Sequence, residues 1–203
     1  PMENINKIAG PIVEAWAGEL FESISNQNGN RWNLVHSETC SRLGMSDIIL
    51  QFKKSTTFGS VVTANVDSKA TAEDLEKSGK SPNITSFARI RSAYVKDADF
   101  IFVILSLKHK VFCQRNTKTG LRDGIMEVVK YNAYDMKYIS NSDLSYNPAL
   151  GTGQIQIRDI HYVSLEKRTT WEFCQLLDKK YLSSSKHTFN DWFTLAQQNE
   201  WIK

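Results

Sequence analysis

Two neighbouring stretches of the sequence decide the fold: Ser46-Asp47-Ile48-Ile49-Leu50-Gln51-Phe52 and Val61-Val62-Thr63-Ala64-Asn65-Val66-Asp67-Ser68-Lys69. Each contains a short apolar run rich in β-branched residues, which favours a strand, and the segment between them contains Gly59 and is typical of a turn. Because side chains alternate along a strand, Asp67 and Lys69 are expected on one face and Ser68 on the other. The sequence therefore predicts a hairpin on which Asp47, Asp67 and Lys69 meet.

These three charged side chains are suited to binding a divalent cation. Two carboxylates supply hard oxygen ligands, and a neighbouring ammonium can hold a water molecule or stabilise negative charge that develops on phosphorus. This combination predicts a metal-dependent nuclease. The alternative is an exposed hairpin with a solvated Asp67–Lys69 pair, which would contribute only roughly 0–1 kcal/mol to stability.

Length and composition are those of one globular domain. The chain has 203 residues, of which 41% are hydrophobic, enough for an α/β domain with a core and too few for two full-sized domains. We therefore expect a single domain over residues 1–203. The formal net charge of +3 permits binding to nucleic acid but does not by itself indicate it.

The spacing of the cysteines and the lengths of the apolar runs indicate the cellular compartment that is expected for this protein. Cys40, Cys113 and Cys174 form no Cys-x-x-Cys pair, which disfavours a disulfide framework and a zinc site, so a reducing cytoplasm is expected. No apolar run approaches the roughly twenty residues that span a bilayer, so no membrane partner is expected. The segment Ser78-Gly79-Lys80-Ser81 resembles the end of a phosphate-binding loop, but the position five residues before its glycine is Asp74. No nucleotide triphosphate is therefore expected.

An amphipathic helix is predicted near the start of the chain. Apolar residues recur there at steps of three and four: Ile5, Ile8, Ile12, Trp16, Leu20 and Ile24. In a helical projection Glu19 falls inside this apolar stripe, whereas Glu14 falls on the opposite side. Glu19 is therefore expected to face inward.

The rest of the chain alternates between helices and strands. Ser81-Pro82 resembles an N-cap followed by proline at the first helical position, which predicts a helix over about 82–95. The almost continuously apolar segment 99–107 predicts a central strand that is buried on both faces. Further strands are predicted at 109–114, 125–131 and 154–158, and two helices at about 170–182 and 188–202, which form a C-terminal part (169–202) packed on the core.

The order of helix, Asp47, Asp67-Ser68-Lys69 and second helix resembles the PD-(D/E)XK nuclease superfamily, and in particular type II restriction endonucleases of the EcoRV and HincII kind. The similarity lies in five stretches that occur in the same order and span most of the chain: Ala17-Gly18-Glu19-Leu20-Phe21-Glu22, Ser46-Asp47-Ile48-Ile49-Leu50, Val66-Asp67-Ser68-Lys69, Ser81-Pro82-Asn83-Ile84 and Gln154-Ile155-Gln156-Ile157-Arg158-Asp159. The sequence departs from the family in two ways: the residue before the first acid, a proline in the family, is Ser46 here, and the chain is shorter than its relatives. These departures concern the recognition loops more than the catalytic residues.

The resemblance implies an α/β restriction-endonuclease-like core, with a central mixed β-sheet flanked by helices. It implies that Asp47, Asp67 and the Ser68 backbone carbonyl bind Mg²⁺, and that Lys69 positions or deprotonates the attacking water. Glu19 would join this catalytic group as a metal ligand, directly or through water, or would orient a ligand. The alternative for Glu19 is an acid on the helix surface.

The resemblance also implies a homodimer that hydrolyses double-stranded DNA at a short palindromic site, because each subunit can read one half-site. Amides pair with adenine and arginine with guanine in the major groove. The candidate DNA contacts are Asn83, Thr85, Arg89, Gln154, Gln156 and Arg158, and for each the alternative is a plain exposed polar residue. Two other functions stay open: a less specific nuclease on the same core, such as a repair or toxin enzyme, and a DNA-binding module without catalysis.

Overall fold

The computed structural model describes residues 3–41, 44–54, 59–73 and 81–202, with side chains from residue 8 onward. In chain order its helices and strands are α1 (Glu3–Ser25), β1 (Leu34–Thr39), β2 (Ile48–Lys53), β3 (Val61–Ala72), β4 (Asn83–Ser86), α2 (Phe87–Lys96), β5 (Ile101–Arg115), β6 (Arg122–Asp135), β7 (Leu144–Asn147), β8 (Gln154–Ile157), α3 (Thr170–Leu182) and α4 (Phe189–Gln198). Two compact units result, the first comprising Pro1–Gly79 and Val103–Ala133, the second Lys80–Phe102 and Tyr134–Lys203. Most of the phosphate-loop-like segment, 78–80, lies outside the described residues.

The central sheet confirms the predicted α/β class. It is a mixed sheet of five strands in the order β1-β2-β3-β5-β6. β2 pairs with both β1 and β3 in antiparallel orientation, so the predicted hairpin is present, and its register places Ile48 opposite Val66. The strands predicted at 99–107 and 109–114 are one continuous strand, β5, which includes the charged segment 108–110 and in which His109 is buried at 1% exposure.

Helix α1 packs on β1 and β3 through its small residues. Ala9, Val13 and Ala17 are at most 2% exposed, and the last two join a core that includes Ile48 and Val66. The large side chains predicted to face inward lie outside instead, with exposed fractions of 59% for Ile8, 53% for Ile12, 46% for Trp16 and 42% for Leu20. The helix was therefore predicted correctly, but its buried face was not.

Gly18 shows why the small residues occupy the buried face. A Cβ atom at this position would lie 2.7 Å from Cγ2 of Thr39 on β1, which is closer than carbon atoms pack. The helix thus approaches the sheet so closely that little space is left for large side chains. Hydrophobic periodicity alone does not reveal this approach, because it ranks residues by apolarity and not by size.

The second unit is built on a three-stranded sheet in the order β4-β8-β7, with both pairs antiparallel. The helix predicted from about 82 begins later, because residues 83–86 form β4 and pair with β8. The N-cap of α2 is Ser86, whose hydroxyl accepts a hydrogen bond from the Arg89 backbone N–H at 3.4 Å. The prediction of Ser81 as the cap was therefore wrong, since strand pairing outweighed the local Ser-Pro signal.

The C-terminal helices are present as predicted, and each begins with a capping box. Thr169 and Glu172 form the box of α3, and Thr188 and Asp191 form that of α4. A buried arginine on α2, Arg91, donates two hydrogen bonds to Asp178 of α3, at 3.0 and 3.1 Å. Among the helices that the structure describes, none is long and apolar enough to cross a membrane.

The close approach of α1 to β1 predicts that Gly18→Ala lowers the free energy of unfolding. Overpacking against Thr39 costs about 1–3 kcal/mol, which outweighs the gain in helix propensity of about 1 kcal/mol. Urea denaturation measures the change. Thr39→Ser removes Cγ2, so the same glycine substitution is expected to cost less in that background.

Gly10 provides the matched control in the same helix. An added Cβ there meets no atom within 4 Å, so Gly10→Ala is expected to raise stability by up to about 1 kcal/mol. If both glycine substitutions changed stability equally, the contact with Thr39 would not determine how α1 packs.

Candidate active site

The hairpin of β2 and β3 brings the two predicted aspartates next to each other. Asp47 immediately precedes β2, and its backbone N–H donates to the Val66 carbonyl at 2.9 Å. Asp67 follows Val66 in β3, so it lies across from Asp47 in the antiparallel register. The antiparallel pairing of β2 and β3 thus places two carboxylates at one end of the hairpin.

Asp67 and Lys69 lie on the same face of β3, as strand alternation predicts. The Lys69 Nζ atom lies 2.8 Å from Oδ1 of Asp67 and also 2.8 Å from Oδ2. Only the contact with Oδ1 has hydrogen-bond geometry, so the buried Oδ2 accepts no hydrogen bond. The side chains are 6% exposed for Asp67 and 22% for Lys69, so this is not the solvated surface pair that was the alternative.

Burial raises the pKa of Asp67 to about 7, even though the Lys69 ammonium favours the carboxylate and lowers the pKa in part. The negative charges of Asp47 and Glu14 also raise the pKa of Asp67. Three acidic groups and one ammonium therefore interact at low dielectric, and a further cation would stabilise the ionised carboxylates.

Asp47 is held by the backbone of the opposite strand. Its Oδ2 accepts a hydrogen bond from the Ser68 N–H at 2.7 Å, and its carbonyl accepts one from Cys40 at 2.7 Å. The side chain is half-buried. Both aspartates therefore have fixed positions that do not depend on a bound ligand.

The acid of α1 that interacts electrostatically with Lys69 and Asp47 is Glu14, whereas Glu19 was the acid predicted to face inward. Glu19 is exposed, whereas Glu14 is half-buried. Burial raises the pKa of Glu14, the Lys69 ammonium and a hydrogen bond from the Ala70 backbone lower it, and Asp47 raises it. The prediction that Glu19 faces inward was wrong, because Glu19 shares the face of α1 that carries the large exposed residues. The same projection placed Glu14 opposite that face, so the correct signal was present but assigned to the wrong side.

The donor set of this site fits a hard divalent cation. An oxygen of Asp67 is buried without a hydrogen bond, and Asp47 offers a second carboxylate beside it. Within the residues that the structure describes, no three His, Cys, Asp or Glu side chains form a ready-made cluster for a metal ion. A cation here would thus be held by two carboxylates together with backbone and water oxygens, which is how proteins often bind Mg²⁺.

The predicted DNA contacts fall in the second unit, and most of them are accessible. Gln154 and Gln156 of β8 are partly exposed and point away from the buried Ile155 and Ile157. Gln156 donates a hydrogen bond from Nε2 to Oδ1 of Asn83 at 2.8 Å, which joins β8 to β4. The strands thus present a row of amides on one face.

The other three candidates do not all join this row. Arg89 on α2 and Arg158 after β8 are exposed, and the Arg158 carbonyl accepts a hydrogen bond from the Ser81 hydroxyl. Thr85 is only 6% exposed. The prediction that Thr85 contacts DNA is therefore wrong for this conformation, because its side chain is turned into the protein.

The fold and the site together define an α/β protein with two aspartates and a lysine on adjacent strands. A family model described as "Type II restriction endonuclease HpaI" matches residues 1–200. The chain is also 61% identical to the type II restriction enzyme HpaI from Haemophilus parainfluenzae. The alignment spans 203 residues, which are 100% of this chain and 79% of that relative. The chain therefore belongs to the HpaI family of type II restriction endonucleases.

The raised pKa of Asp67 predicts how stability depends on pH in metal-free buffer. The folded protein binds this proton more tightly than the unfolded chain, so stability falls as pH rises from about 4 to about 7. Asp67→Asn removes the buried charge, so we expect the variant to be more stable than the parent at pH 8 by roughly 1–4 kcal/mol. At pH 5 the difference is expected to be small, since the parent is then protonated. Urea denaturation with EDTA measures both values.

Asp143 serves as a control of opposite sign. Hydrogen bonds from Ser164 and Ser140 hold the pKa of Asp143 below its usual value. Asp143→Asn is therefore expected to lower stability at neutral pH. If Asp67→Asn also destabilised the protein at pH 8, the attraction between Asp67 and Lys69 would outweigh the cost of burying the carboxylate, contrary to the prediction.

Proposed function

We propose that this chain is a Mg²⁺-dependent endonuclease that acts as a homodimer and hydrolyses double-stranded DNA at a short palindromic site. The observation that carries the proposal is the buried Asp67 carboxylate beside Lys69 and next to Asp47, in a chain of the HpaI family. We further propose that it belongs to the PD-(D/E)XK superfamily, as a single domain over residues 1–203 that works in the cytoplasm.

Asp47, Asp67 and the Ser68 backbone carbonyl are the proposed metal-binding groups. Type II restriction enzymes generally need a divalent metal ion, and the oxygen donors described above suit Mg²⁺ in particular. When bound, Mg²⁺ would lower the pKa of a coordinated water and offset negative charge on the phosphate and on the leaving oxygen. The hydrogen bond from Ser68 N–H to Asp47 keeps one carboxylate oriented for this role.

Lys69 is the proposed catalytic lysine. Its ammonium is held within 2.8 Å of Asp67 and is mostly buried, so its position is fixed before DNA binds. From there it can hold the attacking water or stabilise the negative charge that develops on phosphorus. A preorganised charge of this kind is more effective than a mobile surface lysine, because the side chain need not be ordered during the reaction.

Glu14 is proposed as a positioning residue for the metal. Its carboxyl interacts electrostatically with Lys69 and with both aspartates, and it lies on a helix that packs directly on the sheet. Carboxylates around a metal site commonly orient the ligands or the coordinated water. We therefore assign to Glu14 the part that the sequence had suggested for Glu19.

The amide row of the second unit is the proposed surface for reading bases. Asn83, Gln154 and Gln156 can each pair with a base edge in the major groove, and the exposed Arg89 and Arg158 can contact guanine or phosphate. The hydrogen bond between Gln156 and Asn83 supports this assignment, since it fixes the orientation of both amides.

Digestion of a sequenced plasmid with the full chain and Mg²⁺ tests the function. Discrete fragments are expected, with ends that map to one short palindrome, and EDTA is expected to abolish cleavage. Asp67→Ala is expected to lose cleavage but keep DNA binding in a gel-shift assay, and Lys69→Ala to slow cleavage by orders of magnitude. Asp123→Ala, which removes an exposed acid at the start of β6, is the control and is expected to cut normally.

Each other outcome refutes a stated part of the proposal. A smear of fragments would identify a less specific nuclease, such as a repair or toxin enzyme. Cleavage that survives Asp67→Ala would remove the hairpin from catalysis. Binding to DNA without any cleavage by the parent chain would leave only a DNA-binding module.

The pair Glu14→Gln and Glu19→Gln tests the assignment of the helix acid. Glu14→Gln is expected to reduce cleavage at limiting Mg²⁺ by about 10–100-fold, because loss of a residue that orients metal ligands typically weakens metal binding by about this much. Cleavage is expected to recover in part at high Mg²⁺. Glu19 lies on the exposed side of the same helix, so the Glu19→Gln variant is expected to cut like the parent. Equal effects of the two substitutions, or a loss only with Glu19→Gln, would contradict the assignment.

A further inference from the structure

Helix α1 carries a row of large apolar side chains that its own unit does not cover. Ile8, Ile12, Trp16 and Leu20 are 42–59% exposed, and we call them the α1 stripe. They occur every four residues, so they form one continuous ridge along the helix. Four such side chains make a patch on the order of 300–600 Å², the size of the functional patches found on typical monomers.

The unusual feature is that the helix buries its small residues and exposes its large ones. Ala9, Val13 and Ala17 face the sheet, while Trp16 and its neighbours face outward. A surface helix normally shows the reverse pattern, with large apolar residues toward the core. The close approach at Gly18 explains the buried side, but it gives no reason for apolar residues on the outer side.

A groove beside the stripe extends the apolar surface onto β6. It is lined by Ile12, Val13 and Trp16 from the helix and by Met126 and Val128 from the strand, and measures about 420 Å³. Among the described residues that line it, Glu127 is the charged one, and it is paired with Lys110, whose Nζ lies 3.0 Å from the carboxylate. The groove therefore offers apolar surface with a neutralised charge, which suits an apolar side chain of a protein partner better than DNA phosphate.

We propose that the α1 stripe and this groove form the contact with a second copy of the chain. This inference rests on the proposed function, because a homodimer is what a palindromic site requires. The ridge is self-complementary: two helices whose i±4 ridges interdigitate cross at about −50°, and a two-fold axis near Trp16 would pack each stripe against the other. A standard interface buries about 800 Å² per partner, of which the stripe supplies roughly half and the groove a further part.

A second copy explains the surface better than an unrelated partner. The same helix carries Glu14 toward the candidate active site on its other side. Pairing of α1 with its copy would therefore link the two active sites of a dimer through one pair of helices. Such a link suits an enzyme that must cut both strands of one site.

Sedimentation velocity of the full chain, from nanomolar to micromolar concentration, tests the proposal. The parent chain is expected to dimerise, and Trp16→Glu is expected to weaken dimerisation at least about 30-fold, because a central tryptophan is the kind of residue that dominates an interface. Ile12→Lys is expected to act in the same direction. Both substitutions lie on the outer face of α1, so the circular dichroism of the variants is expected to match that of the parent. Their thermal unfolding temperatures are expected to match only at concentrations at which the parent is also monomeric, since dimerisation itself stabilises the folded state.

Leu121→Glu is the matched control. Leu121 is an exposed apolar residue, at 68% exposure, on the turn between β5 and β6 of the same unit. Leu121→Glu is expected to leave dimerisation unchanged. A parent chain that stays monomeric, variants of both stripe positions that dimerise like the parent, or an equal loss with Leu121→Glu would each overturn the proposal.

Cleavage measured on the same samples separates this inference from the proposed function. A parent chain that dimerises through the stripe but does not cut DNA would refute the function and leave the dimer surface standing. If the parent chain cut DNA at one site while Trp16→Glu stayed dimeric, the proposed function would stand and the dimer surface would be refuted.

Discussion

The candidate site depends on the burial of one carboxylate. Asp67 is almost fully removed from water, and Lys69 offsets only part of the cost, so the pKa of Asp67 rises to about 7. An isolated charge in this position would be unfavourable, and the adjacent Asp47 and Glu14 add to the repulsion. The site is thus set up to gain from a cation, since the metal would remove the electrostatic cost that the fold imposes.

Helix α1 connects this site to the rest of the first unit. Its small residues allow close packing on the sheet, which brings Glu14 near Lys69 and Asp47. The same packing turns Trp16 and its apolar neighbours outward. One geometric constraint, the contact of Gly18 with Thr39, therefore shapes both the candidate active site and the proposed dimer surface.

The parts of the fold that depend on local chemistry were predictable from the sequence. Strand alternation placed Asp67 and Lys69 on one face, and the structure confirms their contact. The capped C-terminal helices were predictable for the same reason. The position of Asp47 required only that two adjacent strands pair, which is the commonest arrangement of neighbouring strands.

The predictions that were wrong depend on contacts between distant parts of the chain. Periodicity defined the phase of α1 but not which face meets the sheet, so Glu19 was chosen in place of Glu14. Residues 83–86 were predicted as helix because Ser81-Pro82 is a good local start signal, but pairing with β8 holds them as a strand. Thr85 is buried by the same pairing. In each case a tertiary contact outweighed a local preference.

The register of β2 and β3 limits how the hairpin can vary in length. Ile48 pairs with Val66, and every pair down to Lys53 and Val61 follows without interruption. A slip of one residue would exchange the two faces of a strand. Asp67 and Lys69 would then both point away from the face that carries Asp47. An insertion that preserves the chemistry must therefore fall in the connection between Lys53 and Val61, where added residues leave the pairing intact.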